Sequence, residues 1–289
     1  MLGHPIGHSK SPALHRAAYA YLGVDLGYSA IDVTEAALPA FMAQVREELR
    51  EEDGWRGLSV TMPLKSAMVE EVDEVRGIAR SLGVVNTVAF EADGGTTRLV
   101  GYNTDVAGIV NALRHAGAAA SPKAVVLGGG GTAAAAIAAL KEAGAAGVEL
   151  FVRDVSRAAE ARAASAAVGL PAQLLPLTGA VAAMAAADVV ISTLPPRAAD
   201  SLAAELAQEL AAEGARETPG VLLDVAYDPW PSRIAAVWQD AGGTVVPGLD
   251  MLIYQAVEQV RHFTGLGAAV PAEVIDVMCD AVGAPRRVF

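Results

Sequence analysis

The chain has 289 residues, a formal net charge of -12 and one cysteine, Cys279, enough length to bury a sizeable core over roughly one to three domains. The acidic balance and the lack of any Lys/Arg stripe argue against nucleic acid or an anionic membrane as partner. A lone cysteine excludes an internal disulfide or a cysteine-based zinc site, no charge-free run reaches the ~18 apolar residues of a membrane span, and no basic-then-apolar leader opens the sequence, so a cytoplasmic protein is expected.

Residues 1–12 form a loop punctuated by glycine and proline. Ser11 before Pro12 reads as an N-cap with proline at the first helical position, opening a helix to about Leu22. Residues 28–33 suggest a strand and 35–51 a long amphipathic helix. A short strand over 57–61 stops at Met62-Pro63, and a helix is expected from Lys65, carrying an acidic run through Glu74. Residues 84–90 and 97–100 pair as strands around the turn Ala92-Asp93-Gly94-Gly95. Asn103-Thr104-Asp105 caps a helix reaching about His115, and 117–122 link that helix to the strand beginning at Ala124.

From Ala124 onward strand and helix alternate, with strands expected at 124–127, 148–152, 173–177, 188–193, 221–226 and 244–246. That alternation implies a parallel, doubly wound sheet. Two helices, 251–264 and 271–282, close the chain and could return to the first domain. The first strand runs into Gly128-Gly129-Gly130-Gly131-Thr132 and then an alanine-rich helix. Strand, glycine turn and helix bring backbone N–H groups and a helix N-terminus up to a pyrophosphate, although a glycine cluster alone suits a plain strand–helix turn equally well. About 20 residues on, Arg153 and Asp154 end the next strand, where such a unit reads the adenosine ribose. An arginine suits a 2′-phosphate and an aspartate a free 2′-hydroxyl.

Lys65, just past a strand end, and Asp105, at a helix start, have the residue types of an acid/base pair that could meet across a cleft; both are also common structural residues. Ser9 and Ser11 flank Lys10 beside a helix start, a place for a carboxylate or for simple turn and cap bonds. Asn86 within an apolar strand, and Gln255 within an apolar helix, each demand hydrogen-bond partners. The five histidines show no ligand spacing, so no metal site is expected, and His115 and His262 read as helix-face residues.

Taken together, Gly7-His8-Ser9-Lys10-Ser11-Pro12, Val60-Thr61-Met62-Pro63-Leu64-Lys65, Val85-Asn86-Thr87, Gly101-Tyr102-Asn103-Thr104-Asp105, the glycine knot, Tyr227-Asp228-Pro229 and the run from Gly248 to Ala256 resemble the shikimate dehydrogenase family in order and spacing, over essentially the whole chain. The resemblance implies an α/β fold. An N-terminal substrate domain of residues 1–106, completed by 250–289, joins a Rossmann-type NADP-binding domain of residues 107–249. It implies reversible NADPH-dependent reduction of 3-dehydroshikimate to shikimate in aromatic amino-acid biosynthesis, by a monomer or homodimer. Lys65 and Asp105 then fall on the catalytic pair, and Ser9 and Ser11 on the hydroxyls that bind the substrate carboxylate. Thr61, Asn86 and Gln255 fall on ring-hydroxyl contacts, with Tyr227 near the substrate. For the cofactor the resemblance points to Gly128, Gly129, Gly130, Gly131 and Thr132 at the pyrophosphate, Arg153 with Asp154 at the adenosine ribose, and Thr193, Val225, Gly248 and Met251.

Several positions depart from the family pattern. Ser59-Val60-Thr61 stands where many members have Asn-Val-Thr, Asp250 replaces a glycine, Tyr254 a histidine, and Ser192-Thr193-Leu194 an Asn-Ala-Thr. Met1 falls inside what is normally the first strand. Asp154 follows Arg153 and opens an alternative, a quinate/shikimate dehydrogenase using NAD. A nucleotide-binding sensor without catalysis would lack Lys65 or Asp105, and both are here.

Overall fold

The computed structural model describes residues 1–51, 54–212 and 219–286. In chain order the elements are β1 (Leu2–Gly3), α1 (Ser11–Leu22), β2 (Ile31–Asp32), α2 (Leu38–Glu51), β3 (Gly57–Ser59), β4 (Glu74–Val75), α3 (Ile78–Leu82), β5 (Thr87–Asp93), β6 (Thr96–Tyr102), α4 (Asp105–His115), β7 (Ala124–Leu127), α5 (Gly131–Glu142), β8 (Val148–Val152), α6 (Ala159–Val168), β9 (Ala172–Pro176), α7 (Ala180–Ala186), β10 (Val189–Ser192), α8 (Ala203–Leu210), β11 (Val221–Asp224), α9 (Arg233–Asp240), β12 (Thr244–Pro247), α10 (Gly248–Thr264) and α11 (Val274–Val282). They gather into two compact units, Met1–Thr104 with Ile253–Phe289, and Asp105–Leu252.

The second unit is a parallel sheet in the order β12-β11-β10-β7-β8-β9. Numbered from β7, that is the 3-2-1-4-5-6 order of a doubly wound dinucleotide-binding sheet, whose winding reverses between β7 and β10. Its central strands are apolar on both faces because helices cover both sides; Val125, Val126, Leu127, Val190 and Ile191 are inaccessible to solvent. Helix α5 is buried along residues 133–140, which alanine permits by letting the helix axis approach its neighbours closely. A core of Leu206, Leu222, Ile234 and Trp238 fills one side of this sheet, and the Trp238 indole N–H donates to the Gly220 carbonyl at 2.9 Å.

The first unit carries a mixed sheet in the order β3-β5-β6-β4. The β5–β6 hairpin turns at Gly94 and Gly95, both at positive φ (59° and 94°), the backbone that a two-residue hairpin loop requires. Strands β1 and β2 pair in parallel beside it, and Leu2 bridges to Val60. Leu2, Leu38, Met42, Leu58, Leu64 and Met68 form the core. From the other end of the chain, α11 packs on α1.

Three local expectations are corrected. The strand foreseen over 28–33 is confined to Ile31–Asp32, because the Arg16 guanidinium takes the Tyr28 carbonyl at 2.7 and 3.0 Å and turns the chain. The helix foreseen from Lys65 to Glu74 is a 3-10 turn over Ala67–Glu71. Glu74 and Val75 instead pair with Val100 and Gly101, and Arg76 holds Glu74 and Glu91 at 2.7 Å each. The N-cap of α1 is Lys10 rather than Ser11, whose own N–H is taken by the Ser9 hydroxyl at 3.2 Å.

Candidate active site

In the first unit a ladder of backbone bonds fixes three segments side by side. The Val60 N–H donates to the Asn86 carbonyl at 2.7 Å, and Thr61 N–H to Leu2 at 2.9 Å. Leu64 N–H turns back onto Thr61, and Val85 N–H takes the Lys65 carbonyl, both at 2.9 Å. Thr61, Lys65 and Asn86 are thereby held on adjacent backbone, with Lys65 half-buried on the turn after β3. Asn86 lies one residue ahead of β5 and is 2 % exposed. Its carboxamide oxygen accepts from Thr104 N–H at 2.7 Å and from the Thr87 hydroxyl at 2.8 Å, and its nitrogen donates to Thr104 Oγ1 at 2.9 Å. Gln255 joins through Thr104, whose hydroxyl lies 3.3 Å from its Oε1.

The same buried network runs on to the start of α1. The Tyr28 hydroxyl donates to Ser59 at 2.7 Å, and Ser59 donates to Gln259 Oε1 at 2.8 Å. Ser11 lies near enough to act on the Tyr28 phenol, whose pKa burial pushes above its ordinary range. His15 stacks on the Tyr28 ring at 4.0 Å and gives its Nδ1 to the Ser11 carbonyl at 2.9 Å. Fully buried, that imidazole is held neutral, its pKa lowered to about 3. The Gln259 side chain lies near enough to act on it in the opposite sense to burial, although among the described residues its Nε2 has no partner in good hydrogen-bond geometry.

In the second unit the glycine knot lies at the carboxyl end of β7, beside the end of β10, where the winding reverses. Gly128 has φ 111°, and a side chain there would run into the Thr193 hydroxyl. That hydroxyl is fixed by donating to the Leu127 carbonyl at 2.8 Å. Gly130 is the extended N-cap of α5, so the helix N-terminus opens directly from the knot. Arg153 and Asp154 are exposed at the end of β8. Asp154 caps the following 3-10 turn, its Oδ1 accepting from Ser156 N–H at 2.9 Å and from its hydroxyl at 2.6 Å. At the end of β11, Asp224 is 3 % exposed and accepts from Ser232 at 2.6 Å, which ties down the loop that carries Val225 and Tyr227. Burial raises its pKa above the usual carboxylate value. Gly248 opens α10 against the Val225 backbone so closely that a Cβ would lie 2.7 Å from the Val225 Cα.

A glycine turn at a switch point suits a dinucleotide, and a buried, neutral hydrogen-bonding surface beside a lysine suits a polyhydroxylated ligand. Comparison with known proteins agrees. Residues 1–88 match the shikimate dehydrogenase substrate binding domain and residues 248–275 the shikimate 5'-dehydrogenase C-terminal domain. The shikimate dehydrogenase (NADP(+)) of Rubrobacter xylanophilus is 36% identical over 277 residues, covering 94% of this chain and 92% of that protein. The chain belongs to the shikimate dehydrogenase family. Among solved structures, the shikimate dehydrogenase of Mycobacterium tuberculosis superposes with a TM-score of 0.79 at 37% identity, covering 98% and 96% of the two chains. The Thermus thermophilus enzyme, solved in complex with NADP(H) and shikimate, gives 0.74 at 31% identity and covers 97% of each chain.

Within this shikimate dehydrogenase framework, Ser9, Ser11, Thr61, Lys65, Asn86 and Gln255 lie in the first unit. Asp105, Gly128, Gly129, Gly130, Gly131, Thr132, Arg153, Asp154, Thr193, Val225, Tyr227, Gly248 and Met251 lie in the second. Asp105 is 4 % exposed at the first position of α4, directly after Thr104. Three residues of the buried network escaped the sequence reading: His15, Tyr28 and Gln259. For Gln259 a signal existed, since it stands four residues after Gln255 and so shares its helix face.

Proposed function

We propose that this chain catalyses the reversible NADPH-dependent reduction of 3-dehydroshikimate to shikimate, a step of aromatic amino-acid biosynthesis, with residues 1–106 and 250–289 binding substrate and 107–249 binding cofactor. The observation that carries the reading is the buried Asn86–Thr104–Gln255 cluster beside the Lys65 turn, a neutral surface matched to ring hydroxyls. Ser9 and Ser11 take the substrate carboxylate, while Thr61, Asn86 and Gln255 orient the ring hydroxyls, with Tyr227 near the substrate. Lys65 delivers a proton to the oxygen that becomes the hydroxyl and removes it in the reverse direction, and Asp105 holds that hydroxyl as acceptor.

The cofactor, when bound, supplies the hydride. Gly128 to Gly131, with Thr132 and the N-terminus of α5, fit its pyrophosphate, because backbone N–H groups there are not screened by side chains. Thr193, Val225, Gly248 and Met251 support its other half. Arg153 fits a 2′-phosphate, and the carboxylate that would favour NAD is committed in part to Ser156. Quinate with NAD is therefore not favoured. A cytoplasmic monomer or homodimer completes the reading; among the described residues no helix is long and apolar enough to cross a membrane. Initial rates with shikimate or quinate against NADP and NAD test it. Shikimate with NADP should turn over far faster than any other pair, and no turnover of shikimate with either cofactor would overturn the assignment.

A further inference from the structure

We infer that Gln259 is a positioning residue for substrate recognition, coupling Ser59 on one side to Asn86 and Thr87 on the other, so that one buried amide sets both ends of the substrate site. The inference rests on the function proposed above. Separate elements are joined through this side chain: α10 supplies Gln259, β3 ends in Ser59 and β5 opens with Thr87, while Tyr28, from the segment before β2, joins through Ser59. Gln259 is 2 %, Ser59 4 % and Thr87 0 % exposed, so the protein itself must satisfy every proton and lone pair.

Geometry leaves the amide one orientation. The Asn86 main-chain carbonyl lies 3.2 Å from Gln259 Nε2 and can only accept, so the nitrogen faces it and also donates to Thr87 Oγ1 at 3.1 Å. Gln259 Oε1 then faces the Ser59 hydroxyl at 2.8 Å and takes its single proton. With that proton committed, Ser59 accepts from the Tyr28 hydroxyl at 2.7 Å, so the phenol has no proton left to give the nearby Ser11. At the far end Thr87, having accepted from Gln259, donates to Asn86 Oδ1 at 2.8 Å. Every hydroxyl along the path is thus polarised in one sense from Tyr28 to Asn86, and reversing any member would set two donors or two acceptors face to face. The phenol beside the proposed carboxylate hydroxyl and the proposed ring-hydroxyl amide are two outputs of the same glutamine.

Gln259→Met keeps length and removes both hydrogen-bonding functions. The KM for shikimate should rise about tenfold or more, with kcat within about threefold and the KM for NADP within about twofold of the parent. A purely structural role would lower the melting temperature and leave the ratio of the two KM values alone. Ser59→Ala breaks the same path by a smaller truncation and keeps the proposal testable if Gln259→Met folds poorly. The double variant should be no worse than the worse single one, since both remove one pathway. A shikimate KM within twofold of the parent in the folded single variants, or multiplying effects in the double variant, would overturn the proposal. If the parent turns over no shikimate at all, the functional assignment fails on its own. The coupling is then judged by NMR, where the Asn86 side-chain amide resonances should shift in Gln259→Met and would refute the coupling by staying in place.

Discussion

His15 makes a quantitative prediction about acid stability. The imidazole has no solvent exposure, stacks on Tyr28, and also lies 6.0 Å from the rings of Tyr19 and Phe263. Burial lowers its pKa from 6.5 to about 3, outweighing the Ser11 carbonyl and the Gln259 side chain, which act the other way. The unfolded chain therefore binds a proton below pH 6.5 that the folded chain refuses until about pH 3. Stability from this group is fully present above pH 6.5 and drains away as pH falls across that window. At ~1.4 kcal/mol per pH unit, the loss between pH 7.5 and pH 5 is about 2 kcal/mol from one side chain. His15→Phe keeps a flat ring against Tyr28 and removes the titration, at the cost of the hydrogen bond to Ser11, about 1 kcal/mol at any pH. Denaturant unfolding of both proteins across pH 4.5 to 8 measures the difference directly, with other titrations common to the pair. The parent's stability relative to the variant should fall by about 2 kcal/mol on going from pH 7.5 to pH 5. Parallel pH profiles would show that the imidazole accepts its proton as readily folded as unfolded, and the argument from burial would be wrong.

Four further outcomes are expected of the proposed site. Lys65→Ala should lower kcat by about 10²- to 10⁴-fold, the range for a lost general acid, with the shikimate Kd near the parent's; normal turnover would remove Lys65 from the chemistry. Gly128→Ala forces a side chain into φ 111° and onto the Thr193 hydroxyl, so it should destabilise by about 1–3 kcal/mol and raise the cofactor KM, read by thermal melting and initial rates. Arg153→Ala should raise the KM for NADP about 10- to 100-fold while barely touching that for NAD. Asp154→Asn, which can still cap Ser156, should lower the NADP KM instead, and an opposite order would make Asp154 the ribose reader.

The second unit was legible to within a residue or two because its sequence carries strong local grammar. The strands at 124–127 and 148–152 are short apolar runs bounded by glycine or charge, and the structure returns them as Ala124–Leu127 and Val148–Val152. Asp105–His115 was equally plain, from a polar start and a basic end. Where tertiary partners decide, sequence was a poorer guide. Glu74–Val75 reads as the tail of an acidic helix, and only the edge of β6 waiting beside it makes a strand. Tyr28 looked like the start of a strand, until Arg16, twelve residues back, claimed its carbonyl. In the candidate site, Asn86 and Gln255 announced themselves as polar residues in apolar surroundings. Their partner Thr104 read only as a cap, and Ser59 read only as a departure from a pattern. Its role rests on a glutamine 200 positions away, beyond the reach of any local rule.

The solvent-free stretch of α5 has a consequence for how the protein tolerates change. Apart from Ile137 and Leu140, residues 133–140 are alanines, and alanine has no rotamers to freeze. The helix that leaves the glycine knot is therefore seated by shape alone, with few alternative side-chain packings to choose among. In a saturation mutagenesis screen this segment should rank among the least forgiving of the chain, because nearly any larger residue lifts the helix off its seat. None of those alanines touches a ligand in any reading of the site. Their intolerance would record geometry, and a map of essential positions would mistake it for chemistry.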